Sequence, residues 1–105
     1  MSNDARAEKI KSALGFAMKA GKVRSGELAA HKAVKSGRAK AVVIDEKLSP
    51  SSAERWRGIC ENAVIPLITA EDLGDAIGRE AHMVACIVDN GFAQMLLRAC
   101  QDTRS

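Results

Sequence analysis

The sequence predicts an α/β fold in which helices cover both faces of a mostly parallel or mixed sheet. Helix and strand signals alternate strictly, in the order α, short β, α, β, α, β, α, β, α. The run Ala41–Ile44 is continuously apolar, as expected of a strand buried on both faces. The longer segments between the strands repeat apolar residues at three- and four-residue spacing, which gives each helix one inward stripe.

Each element has its own local reason. Ser2 or Asn3 is placed to cap the first helix, with Asp4 and Glu8 near its positive end. Ile10, Ala13, Leu14, Ala17 and Met18 form its stripe, and Gly21 suits the position just past its end. Lys22-Val23-Arg24 reads as a very short strand. Ser25-Gly26 opens a second helix that ends at Gly37. After the Ala41–Ile44 strand, Ser49-Pro50 is a cap followed by proline in the first turn. Ala53, Trp56, Ile59, Cys60 and Ala63 form the stripe of this third helix. Val64–Ile68 reads as the next strand, with Pro66 at an edge or at strand entry. Thr69-Ala70-Glu71-Asp72 has the form of a capping box with Asp in the usual Glu place. The fourth helix then turns Leu73, Ala76 and Ile77 inward and stops at Gly78. Val84–Val88 is the last strand. Asp89-Asn90-Gly91 turns the chain into a final helix carrying Phe92, Met95, Leu96 and Ala99.

The 105 residues suffice for one domain, expected to be ordered over residues 4–100, and the chain has no repeat or linker. One Trp and two Phe leave few rings for stacking single-stranded bases, which argues against a stacking-platform binder. Cys60, Cys86 and Cys100 form no CxxC pair and no zinc spacing, so no metal or cofactor is expected. Their apolar neighbours suggest buried free thiols in a reducing compartment. The polar start MSNDARAEK lacks the apolar core of a signal peptide, and no apolar run reaches the length of a membrane span. The expected location is cytoplasmic, without membrane association.

Charge is more informative in its distribution than in its total of +3. Residues 1–40 hold ten Lys and Arg against Asp4, Glu8 and Glu27, a local balance of +7, so the remaining 65 residues hold −4. Such polarity suggests one face for an anionic partner. Helical phase narrows that face. Ala30, Ala33 and Val34 share the inward side of the second helix, whereas Leu28, His31, Lys32 and Lys35 share the outward side. The helix begins at Ser25-Gly26-Glu27, where backbone N–H groups are free to meet a phosphate. Lys22 and Arg24 lie immediately upstream. A merely solvated basic face is the competing explanation.

The segments Leu14–Gly26 and Lys32–Ile44 resemble the ribosomal L7Ae/L30e family, and most closely its short bacterial branch, the YlxQ-like RNA-binding proteins. The resemblance continues through Asp72–Arg79 and Asp89–Ala93. It implies a three-layer α/β/α sandwich with a four-stranded mixed sheet. It also implies binding to structured RNA, kink-turn-like or ribosomal, in ribosomal or other ribonucleoprotein settings. The family's RNA motif, Gly-x-Asn-Glu-x-x-Lys, reads here as Gly26-Glu27-Leu28-Ala29-Ala30-His31-Lys32. Gly26 and Lys32 match. Leu28 and Ala29 stand where Asn and Glu would contact the sheared purine pairs of a kink-turn, and neither side chain can hydrogen-bond to a base edge. A second family contact, the loop before the last strand, corresponds to Arg79–Met83. There Ala81 and Met83 offer apolar surface and His82 a stack or hydrogen bond.

Two other classes of function fit the sequence less well. An enzyme would draw on His31, His82, Cys60, Cys86, Asp45 or Glu46, but no nucleophile elbow, phosphate loop or metal spacing is present. Asp45-Glu46, following a strand, reads as a pair of solvated loop residues. A protein-interaction or scaffold module would use Glu71, Asp72, Asp75 and an exposed Leu28. The sequence fits best a monomeric, non-catalytic RNA-binding domain whose expected partners are structured RNA and the ribosome.

Overall fold

A computed structural model describes residues 2–101, with side chains over residues 5–101. The elements are α1 (Ser2–Lys19), β1 (Val23–Ser25), α2 (Glu27–Lys35), β2 (Ala41–Asp45), α3 (Pro50–Ala63), β3 (Leu67–Ala70), α4 (Leu73–Ile77), β4 (Val84–Ile87) and α5 (Asn90–Gln101). The order matches the alternation read from the sequence. The expected caps at Ser2 or Asn3, with Asp4 beside them, involve side chains outside the described residues.

The sheet order is β1-β4-β2-β3. β4 runs antiparallel to both of its neighbours, and β2 pairs in parallel with β3, so the sheet is mixed. Strand period then sorts the core into two layers. Ala41 and Val43 of β2, with Ala85 and Ile87 of β4, join α1, α4 and α5 on one face. Val42 and Ile44, with Val84 and Cys86, join α2 and α3 on the other. Every residue of β2 and β4 is buried, which is why neither strand alternates in sequence.

Several local expectations change. The strand expected from Val64 begins only at Leu67. Val64 caps α3 in the left-handed region and is 87% exposed, while Pro66 sits at strand entry and its carbonyl accepts from the Val42 N–H. Ala63 is exposed, outside the stripe that buries Trp56 and Cys60. Met95 is 41% exposed on α5 rather than buried.

The Thr69–Asp72 capping box does not form. Thr69 and Ala70 complete the pairing of β3 with Ile44 and Asp45, so α4 starts only at Leu73. Its cap comes from across the chain. Asp45 Oδ2 accepts from the Leu73 N–H at 2.9 Å, and Oδ1 accepts from the Lys47 N–H at 2.8 Å. Asp45 is therefore a buried structural carboxylate, not the solvated loop residue expected; Glu46 alone is exposed. A buried carboxylate is stable only with such donors.

Candidate nucleic-acid interface

The start of α2 is built on Gly26. Its backbone, at φ 95° and ψ 150°, lies where L side chains are strained, and its N–H donates to Val84 O at 2.7 Å. The first helical bond runs from Ala30 N–H to Gly26 O, leaving the Glu27, Leu28 and Ala29 amides without an intrahelical acceptor. Among the described residues, no side-chain hydrogen bond caps them. They form the positive end of a helix whose last turn carries Lys32 and Lys35.

The Arg79–Met83 loop closes against this start. His82 Nδ1 lies 2.9 Å from Ser25 Oγ, and a Cβ built on Gly26 would sit 3.5 Å from the His82 ring. The two stretches singled out from the sequence, 57 residues apart, therefore form one rim. Ala81 is exposed and Met83 half-buried on that loop. The Met83 carbonyl accepts from Asp45 N–H, which ties the loop to β2. Gly74 sets the loop's height: a Cβ there would lie 2.8 Å from backbone atoms of Arg79 and Glu80.

The outward face of α2 is narrower than its helical phase implied. Leu28 is 73% exposed, and Lys32 and Lys35 are exposed with it. His31 is half-buried and meets the Trp56 ring edge-on, with centroids 5.8 Å apart. Glu27 also turns toward α3. Its carboxylate accepts from Arg55 at 3.1 Å and from Trp56 Nε1 at 3.2 Å. The Trp56 hydrogen bond, with the Arg55 guanidinium, holds the Glu27 carboxyl below its usual range. Lys22 and Arg24 are exposed beside the rim, and Arg24 donates to Gly21 O and Val23 O.

Arg55 and Trp56 were missed as parts of this region. Trp56 carried only a core signal, and Arg55 lies 28 residues from the Glu27 it holds. Cys60 and Cys86 are buried, and burial pushes both thiols up to about 11, so they remain protonated near neutrality. Cys100 is only half-buried.

Fold and site together define a small α/β/α domain with a cationic helix edge beside one loop. The chain belongs to the ribosomal protein L7Ae/L30e/S12e/Gadd45 family, whose model matches residues 8–97. Over 87 residues it is 37% identical to the RNA-binding protein YlxQ of Bacillus subtilis (strain 168), covering 80% of this chain and 87% of that protein. It is 35% identical over 94 residues to the large ribosomal subunit protein eL8 of Cenarchaeum symbiosum (strain A), covering 84% of this chain and 73% of that one. A solved structure of a protein with unknown function from Bacillus halodurans C matches with a TM-score of 0.81 and 27% identity, over 88% of this chain and 96% of that one. The resemblance read from the Leu14–Gly26 and Lys32–Ile44 segments is thereby confirmed.

Proposed function

We propose that this chain is a non-catalytic, monomeric domain that binds structured RNA in a cytoplasmic ribosomal or other ribonucleoprotein setting. The observation that carries the reading is the joining of Ser25 and Gly26 to His82, which puts free helix amides, a basic helix edge and the Ala81–Met83 loop on one rim. The relatives named as RNA-binding and ribosomal proteins support it.

In this reading, phosphates meet the Glu27–Ala29 amides and the side chains of Lys22, Arg24, Lys32 and Lys35. Leu28 and the Ala81–Met83 loop lie against bases or sugars. Glu27 and His31 act at one remove, holding α2 on α3. Leu28 and Ala29 supply no base-edge hydrogen bonds, so the grip is stronger than the specificity for a standard kink-turn.

Replacing Lys32 or Arg24 with Ala is expected to weaken binding to bulk ribosomal RNA about three- to tenfold each, as befits loss of one charge-assisted contact. The urea midpoint should stay near that of the parent, because both side chains are exposed. Unchanged affinity in both variants, measured by filter binding, would place the RNA surface elsewhere.

A further inference from the structure

An acidic side chain at the start of α2 conflicts with a phosphate seat there. Glu27 is the first residue of the helix, and the Glu27, Leu28 and Ala29 amides, which lack an intrahelical acceptor, are the donors proposed to meet phosphate. The positive end of a helix attracts a carboxylate as it attracts a phosphate. A Glu27 carboxylate lying over those amides would occupy the seat and repel an incoming anion.

The structure turns that carboxylate toward α3. Trp56 Nε1–H donates to Oε2 at 3.2 Å, and Arg55 Nη2 lies 3.1 Å from both Oε1 and Oε2. The two donors differ in kind. The indole is fully buried, so its N–H is fixed in place and needs an acceptor. The guanidinium is half-exposed and supplies the opposite charge. The Trp56 hydrogen bond, and after it the Arg55 pairing, hold the carboxyl below its usual range, so Glu27 is ionised at neutral pH. On the same helix, Arg57 pairs with Glu54 one turn away. An exposed pair of that local kind has little consequence. The Arg55–Glu27 pair differs because it joins α3 to α2 across 28 residues, and because its acid stands at the phosphate seat.

We infer that Arg55 is a positioning residue for RNA binding: it holds and neutralises the Glu27 carboxylate on the α3 side, and so keeps the Glu27–Ala29 amides clear for phosphate. The inference rests on the RNA-binding reading and deepens it. Arg55 acts through Glu27, and an acidic first turn thereby becomes compatible with an anionic ligand.

The test is a double-mutant cycle on the full chain, with affinity for bulk ribosomal RNA read by filter binding at low salt. Gln is the replacement at both positions, because Glu27→Gln keeps an acceptor for Trp56 Nε1. Arg55→Gln is expected to weaken binding about fourfold, the scale of one uncompensated charge beside a phosphate in water. Glu27→Gln should change the affinity of the parent by less than about twofold, yet return the Arg55→Gln variant to near the parent. The Glu27 carboxyl carbon, followed by NMR in the free protein, should titrate at higher pH in Arg55→Gln than in the parent. Parent-like RNA affinity in Arg55→Gln, or a carboxyl titration that does not move, overturns the inference. A loss that Glu27→Gln fails to restore overturns it as well, and makes Arg55 itself an RNA contact. An equal gain from Glu27→Gln in both backgrounds has the same force, since the carboxylate would then repel RNA whether or not Arg55 held it. If the parent does not bind the RNA, the RNA-binding reading itself falls, and this inference with it.

Discussion

Replacing Trp56 with Ala is expected to lower stability by about 4 kcal/mol, in the range for truncating a buried aromatic side chain. Trp56 is fully buried and is the largest of the fully buried side chains. The cavity lies between α3 and the sheet layer of Val42, Ile44, Val84 and Cys86. The same change deletes the Nε1–H donor to Glu27 and the ring that His31 meets edge-on. It therefore undermines both α3 and the seating of α2. A domain of this size has about 5–15 kcal/mol to lose in total, so the variant should remain folded only narrowly. Trp56→Phe keeps most of the volume and loses the donor, and is expected to cost markedly less. Urea unfolding checks both; a loss under about 1.5 kcal/mol for Trp56→Ala would contradict the packing described, given the usual range for such truncations.

Gly74→Ala is expected to act on the loop more than on the helix it occupies. Alanine favours a helix by about 1 kcal/mol over glycine. Here the added methyl would meet the Arg79 carbonyl and the Glu80 backbone at 2.8 Å, so the loop must move. Overpacking against backbone costs about 1–3 kcal/mol and overrides the helix gain. The displaced segment carries Arg79 N–H away from Gly74 O, and with it His82 away from Ser25. RNA affinity should fall even at temperatures where the variant is fully folded. A variant as stable as the parent that binds RNA equally well would show that the loop's height over α4 does not matter.

These two positions also show how far local sequence signals reach. Ser49-Pro50 predicted a helix start, and Ser49 Oγ accepts from the Ser52 N–H three residues on. The apolar runs predicted β2 and β4 because burial on both faces leaves a local signature. Asp45 left none, because its role is to cap α4 at Leu73, 28 residues away. Separations of 28 and 29 residues hide Glu27's partners in the same way, and the i, i+3, i+4 phase that groups His31 with Lys32 takes no account of Trp56. Val64 carries a strand signal, being apolar and β-branched, yet the chain leaving α3 takes it to φ 58°. The rim was legible in its parts: basic residues before Gly26, the helix start itself, and the Ala81–Met83 loop through family likeness. The Ser25–His82 contact was not, since it depends on the β1–β4 pairing that places the two stretches side by side.

Phosphate contacts at the start of α2 are expected to supply most of the grip on RNA. The most direct measurement is the affinity for one structured RNA across a salt series. Each phosphate neutralised releases counterions and adds to the slope of log affinity against log salt. Contacts from Lys22, Arg24, Lys32 and Lys35 predict a slope of about −3 to −4, and Lys32→Ala should reduce its magnitude by about one. An affinity that stays flat as salt rises, or a slope untouched by Lys32→Ala, would show that these phosphate contacts do not hold the RNA.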